Sequence, residues 1–387
     1  MSESIHTARW VSQIADEGWD LHLFPSVDQG ITHPQLRGVD IHHSFYVHHE
    51  KTPNVQFHGI PVPTRGVAWK GIGLLRMIDA DYRVRQLNRL IKKIQPDIIQ
   101  SMEFQAGGYL TYKAKMSYRG TFPPWIATNW GSDIYFFRRD KDHEKKIREL
   151  LGACDYYSSE CQRDIDLAEK MGFRGRYLPV IPNGGGYDVK TMIEYRRDSR
   201  PSDRRIVIVK GYQGWAGRAL IALEAVESCA ELLQGYEIVV YSGTSPNVKM
   251  KVQNLREKSG IQISLLPQVS HEDLMKLFGR SRIYIGLSIS DGISTSLLES
   301  MIMGAFPIQS ETACGDEWIS DGVSGFIVPA EDPEAIAAAL RRALTDDDLV
   351  DQASLINENI ARQRLDQSVV KPQVIRMYEE IYAENRL

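Results

Sequence analysis

Two doubly wound α/β domains facing a central cleft are the fold that this sequence predicts, on three observations. Its 387 residues exceed what one hydrophobic core ordinarily organises, so two cores are expected. Strand-length apolar runs alternate with helix-period segments along most of the chain, which implies parallel sheets covered by helices on both faces. The alternation halts once, over the charged and aperiodic residues 188–203, as a linker would interrupt it.

The elements follow in order. Ile5 to Glu17 has the helical period, and GWDLHLFPS reads as a strand. Arg76 to Lys93 predicts one long amphipathic helix leading to the strand PDIIQSM. PWIATNWGS and CDYYSSE are further strands, each followed by a helix, Asp140 to Leu151 and Asp164 to Gly172, before the glycine turn of RYLPVIPNGGG. After the linker a second series runs through RRIVIVKG, the helix Ala219 to Leu233, YEIVVYSG, IQISLLPQ, the helix His271 to Phe278, and RIYIGLSIS. This divides the chain into a first Rossmann-like domain over 1–187, a second over 204–368, and a closing segment over 369–387.

Charge and cysteines narrow the setting. The net charge is −4; residues 1–200 carry 28 basic against 24 acidic side chains, and the remainder 18 against 26. So small a basic excess argues against nucleic acid and leaves open an anionic acceptor or a membrane surface for the first half. Cys154, Cys161, Cys229 and Cys314 have no paired metal spacing and are too few for a disulfide framework, which suggests a reducing cytoplasm. No apolar run reaches the roughly 18 residues of a membrane span, so any membrane contact is expected to be peripheral, at the inner face.

The densest chemistry lies in LSISDGISTSLLESMIMGAFPIQSETACGDE, residues 287–317. Gly292 allows a sharp turn, Ser294, Thr295 and Ser296 are N-cap residues, and the helix they open presents unpaired N–H groups that favour a phosphate. Asp291 and Glu299 stand eight residues apart around that turn, so both can face one cleft and accept hydroxyl hydrogen bonds. Gly304 ends the helix and FPIQS is the next strand. Lys210, at the end of RRIVIVK, and Arg218, after GYQGWAG, place two cations at the first strand of the same domain.

This stretch resembles the nucleotide-sugar segment of the family 4 glycosyltransferases, retaining enzymes of the two-domain GT-B fold. Ser288, Asp291, Gly292 and Glu299 stand at the matching places, with aspartate where the family usually has glutamate. Gly315-Asp316-Glu317 and DGVSGFIVPAEDPEAIAAAL resemble its next acidic turn, glycine loop and amphipathic helix. The resemblance implies a nucleotide-sugar donor as substrate, no resident cofactor and no metal, and transfer to a glycan or glycolipid acceptor in polysaccharide or glycolipid assembly. It assigns Lys210 and Arg218 to the diphosphate, Asp291 to the sugar, Glu299 to the ribose, and residues 292–296 (Gly292, Ile293, Ser294, Thr295, Ser296) to donor binding. It places Gln268 and Val269, in LLPQVSHEDL, beside the base, and implies that the last helix, from Pro372 to Glu384, crosses back to the first domain. Family members also begin with a short apolar strand that this sequence lacks before Ile5, so a truncated start or a substitute segment is expected.

In the first domain TNWGSD ends a strand, with Trp130 where the family often has histidine; Asp133 is the candidate for orienting a hydroxyl, and Glu103 is a further strand-end acid. Asn183 and Gly184 match the hinge loop. His42, His43, His48 and His49 invite a metal reading, but no three-ligand spacing emerges. Segment 135–146 mixes aromatic and basic residues, suiting either lipid headgroups or a solvated helix. Two alternatives stand beside transfer: a sugar-nucleotide epimerase of the same architecture and a non-catalytic partner subunit. The oligomeric state is left open.

Overall fold

The computed structural model describes residues 2–47, 54–196 and 199–386. They form two compact units, residues 1–186 with 368–387, and residues 187–367.

The first unit opens with α1 (Ile5–Ile14), whose Ala8, Trp10, Val11 and Ile14 are buried at helical spacing. Three parallel strands follow, β1 (His22–Leu23), β2 (Val39–Val47) and β3 (Val55–Val62), with a register shift between His42 and Phe45. Gly59 sits opposite that shift at φ +132°, where a Cβ would lie 2.4 Å from the His43 carbonyl oxygen, so only glycine fits. The single helix expected over Arg76 to Lys93 is instead two, α2 (Arg65–Ile78) and α3 (Tyr82–Ile94). The break is made by Asp79, which leaves the helix at φ −153° and accepts the Asp81 amide at 2.9 Å, a side-chain turn competing with helical bonding.

A second parallel sheet orders β4 (Ile99–Met102), β5 (Trp125–Thr128), β6 (Tyr156–Ser158) and β7 (Arg176–Tyr177) in sequence, with α4 (Tyr109–Ser117), α5 (Lys141–Leu151) and α6 (Gln162–Lys170) between them. Among the described residues β1 pairs only with β2 and β4 only with β5. Residues of β1, β4 and α3 line a cavity of about 170 Å³, whose walls include Leu23, Phe24, Leu87, Ile91, Ile99 and Met102.

The second unit begins with α7 (Val189–Glu194), inside the segment expected to be an aperiodic linker. Asp188 caps it by accepting the Thr191 amide at 3.0 Å, and Val189 and Met192 are buried, so these residues are part of the unit's core. The chain then alternates through β8 (Ile206–Lys210), α8 (Ala219–Glu227), β9 (Glu237–Tyr241), α9 (Pro246–Ser259), β10 (Gln262–Leu265), α10 (His271–Phe278), β11 (Ile283–Gly286), α11 (Thr295–Met303), β12 (Phe306–Ser310), β13 (Phe326–Val328), α12 (Pro333–Thr345) and α13 (Asp347–Arg364). All six strands are parallel, in the order β10-β9-β8-β11-β12-β13. The order reverses between β8 and β11, and a crevice at their carboxyl ends is where a doubly wound sheet takes its ligand.

The last helix, α14 (Gln367–Glu384), starts five residues before Pro372, and its body belongs to the first unit. Val374 and Ile381 pack with Trp10, Ile126 and Leu178, Trp10 Nε1 donates to Tyr378 Oη at 2.8 Å, and Arg176 pairs with Glu380 and Glu384.

Candidate active site

At the switch point of the second unit, β8 delivers Lys210 and β11 delivers the loop 287–294. The two loops are tied by backbone bonds: Arg218 N donates to Leu287 O at 3.1 Å, and Ile289 N to Ala216 O at 2.9 Å. Lys210 Nζ donates to Ser294 Oγ at 3.3 Å, so the cation stands at the first turn of α11. Burial alone would lower the Lys210 pKa, but Tyr284, Asp291 and Glu299 around it outweigh that and hold it above its ordinary value. The lysine therefore stays charged at neutral pH.

Helix α11 is buried from Ser296 to Met303, so its N-terminus is held rigidly by the core. Ser294 is the N-cap in extended conformation but makes no side-chain cap bond, which keeps the helix's first amides for another acceptor. Asp291 Oδ1 accepts the Gly292 amide at 3.0 Å, and Ser296 Oγ accepts from Tyr241 Oη at 2.7 Å. Glu299 is almost fully buried, and its Oε1 lies 2.7 Å from Nε2 of the half-exposed His271. The hydroxyl of Ser288 and the amide oxygen of Gln309, both buried, have no partner among the described residues.

Three features here are not visible in the sequence. His271 opens α10 and ties its loop, which carries Gln268 and Val269, to α11 through Glu299; Ser270 caps that helix by accepting the Asp273 amide at 3.1 Å. Tyr241, at the end of β9, fixes Ser296. Thr312 fixes Ser288 by donating to its carbonyl. Arg218, expected beside Lys210, is engaged within its own loop: its Nε is 2.6 Å from Glu331 Oε1, and its guanidinium donates to the Gly217 carbonyl at 3.0 Å. In this position it holds its own loop, because an acid 113 residues away has taken it.

In the first unit Asp133 is 5% exposed, and its Oδ2 accepts the Phe104 and Trp130 amides, each at 2.8 Å. Burial, and then the charge of Glu103, push its carboxyl well above the usual range. Glu103 has φ +67° and caps the following turn by accepting the Ala106 and Gly107 amides. Both acids thus serve local backbone at the ends of β4 and β5. His43 is buried against Asp28 at 2.7 Å, while His42 stacks on His58 with centroids 4.5 Å apart; His48 and His49 lie outside the described residues.

Residues 193–362 match the family model for glycosyl transferases group 1, and residues 1–155 match that for glycosyl transferase 4-like. Both units are glycosyltransferase domains. Sucrose-phosphate synthase from Thermosynechococcus elongatus is similar in structure with a TM-score of 0.70, at 13% identity, over 98% of this chain and 93% of that one. Anabaena HepE in complex with UDP-glucose gives 0.66 at 13% identity, over 98% and 97%. A glycosyltransferase from Rickettsia africae gives 0.66 at 15%, over 98% and 95%. Likeness at these identities is one of fold, and the fold of the two glycosyltransferase domains is GT-B. No curated protein matches the chain.

Proposed function

We propose that this chain is a retaining, metal-independent glycosyltransferase that moves a sugar from a nucleotide-diphosphate donor to a hydroxyl of a glycan or glycolipid acceptor. The observation that carries the reading is the convergence of Lys210, the 291–296 loop and Glu299 at the switch point of the six-stranded sheet. Lys210 and the first amides of α11 would take the diphosphate and stabilise the charge that grows on it as the glycosidic bond opens. Asp291 would position the sugar. Glu299 would accept the ribose hydroxyls, with His271 holding its carboxylate in place, and Gln268 and Val269 would flank the base. Arg218 contributes by fixing its loop, or directly if a diphosphate displaces Glu331. A departing phosphate can itself take the acceptor's proton, so the scheme needs no side-chain nucleophile.

Uridine diphosphate is the first donor nucleotide to test, since HepE has been solved with UDP-glucose and TarM with UDP. Calorimetry with UDP, GDP, ADP and their sugar conjugates, on wild type and Glu299→Ala, decides the donor site. Binding of one nucleotide is expected, weakened by about 1–3 kcal/mol in the variant as hydroxyl hydrogen bonds to a charged, buried acceptor are lost. Equal affinity in the two proteins would remove Glu299 from the site. Binding without turnover toward any acceptor would favour a non-catalytic partner subunit, and conversion of the donor alone would favour an epimerase. Metal independence has its own test: a chelator should leave turnover unchanged, and a loss restored by added divalent cation would overturn it.

A further inference from the structure

Among the described residues, one helix carries five exposed large apolar side chains: Val67, Trp69, Leu74, Met77 and Ile78. Helix α2 reads RGVAWKGIGLLRMI, and only Ala68 and Ile72 of its residues are buried. Its outward stripe Val67, Lys70, Leu74, Met77 and Ile78 follows helical spacing, with Leu74 58%, Met77 86% and Ile78 74% exposed; Trp69 lies on a flank beneath the Arg65 guanidinium at 4.7 Å. Gly71 sits against the Phe45 ring, where a Cβ would approach to 2.8 Å, so the helix is seated by a small residue and turns its large ones to solvent. Solvent does not favour such a stripe.

The charge says what would. The helix holds Arg65, Lys70 and Arg76 and no acid, and from Ile60 to Ile94 there are eight Lys and Arg against two Asp. Both acids are engaged, Asp79 with Arg85 and Asp81 with Lys113. A second copy of the chain docking through the same stripe would bring these cations onto their own counterparts. An anionic lipid surface instead meets the apolar stripe with acyl chains and the cations with headgroups. A 14-residue helix of this kind lies in the interface, and no helix of the described residues is long and apolar enough to cross a membrane. We propose that α2 is the element that docks this protein on an anionic membrane surface. Segment 135–146 is not built for it: Tyr135 is covered by Arg163 at 3.8 Å, and Phe137 packs on His143.

The proposal stands on this surface alone and is independent of the reaction catalysed. Its test is flotation of the full chain with vesicles of phosphatidylcholine, pure or with about one third phosphatidylglycerol. Binding is expected only with the anionic vesicles, weakened by salt, and lowered about thirtyfold by Lys70→Gln with Arg76→Gln, at roughly fivefold per surface charge removed. Leu74→Ser with Met77→Ser and Ile78→Ser should lower it at least as far, while Lys145→Glu with Lys146→Glu on α5 should leave it unchanged. Circular dichroism confirms that each variant is folded. No binding to anionic vesicles at low salt, binding lost only in the α5 variant, or a solution dimer that the serine variant dissociates would each overturn the proposal.

Discussion

Lys210→Ala is expected to lower kcat about 10²- to 10³-fold, the usual consequence of removing one preorganised charge partner of a transition state. The lysine ends β8 and reaches Ser294 at the first turn of α11, so it and the helix amides face one anion. Its raised pKa keeps it cationic at any working pH, so alanine removes a full charge from a site that already holds Asp291 and Glu299. Those two carboxylates then repel the donor's phosphates without compensation. The loss should fall mainly on kcat, because the charge on the diphosphate is greatest as the bond to the sugar opens. Steady-state kinetics with the donor found by calorimetry measures it. A change confined to KM would make Lys210 a ground-state binder only, and unchanged kinetics would remove it from the scheme.

The parts of this site that sequence reveals are those made by neighbours in the chain. Gly292 and the Ser294–Ser296 run announce a helix start because small, capping residues precede the apolar run that α11 buries. Gly304 announces its end, at φ +75°, with the Ala305 amide returning to Ser300 O at 3.0 Å. Long-range partners are silent by contrast. Nothing near Arg218 foretells Glu331, and nothing near Glu299 foretells His271, since each pair meets only when separate strand ends come together. Among the elements, α13 was hidden because exposed Leu355 blurs a buried face that includes the polar Asn357. The strand β2 was obscured in the same way: its histidines suggested ligands, whereas His43 is a core residue made acceptable by an aspartate 15 positions earlier.

That aspartate gives the largest expected effect on stability. Asp28→Ala should cost the first unit about 3–5 kcal/mol, the range seen when one partner of a buried charge pair is removed. Asp28 and His43 are fully buried, with Oδ1 2.7 Å from His43 Nδ1 and Oδ2 accepting the Ser44 amide at 2.6 Å; Arg83, nearly as buried, lies 3.5 Å away over the Phe24 ring. Burial alone would raise the Asp28 pKa, but His43, Arg83 and the Ser44 amide together bring it below 3.8. A carboxylate with a depressed folded-state pKa stabilises fully above its unfolded value, and the contribution is lost as the pH falls through the folded one. Alanine leaves Arg83, itself lowered to about 10 by burial, without its counter-charge. Because the cluster joins β2 to α3 inside one unit, unfolding followed by denaturant should show only that unit's transition moving earlier, with nucleotide affinity in the other unit retained. The wild-type difference from the variant should shrink as the pH falls from the ordinary carboxylate value toward the depressed folded-state one, below which Asp28 takes up its proton in the folded chain. A shift of under about 1 kcal/mol at neutral pH would mean that water reaches Arg83 and that the triad contributes little to the fold.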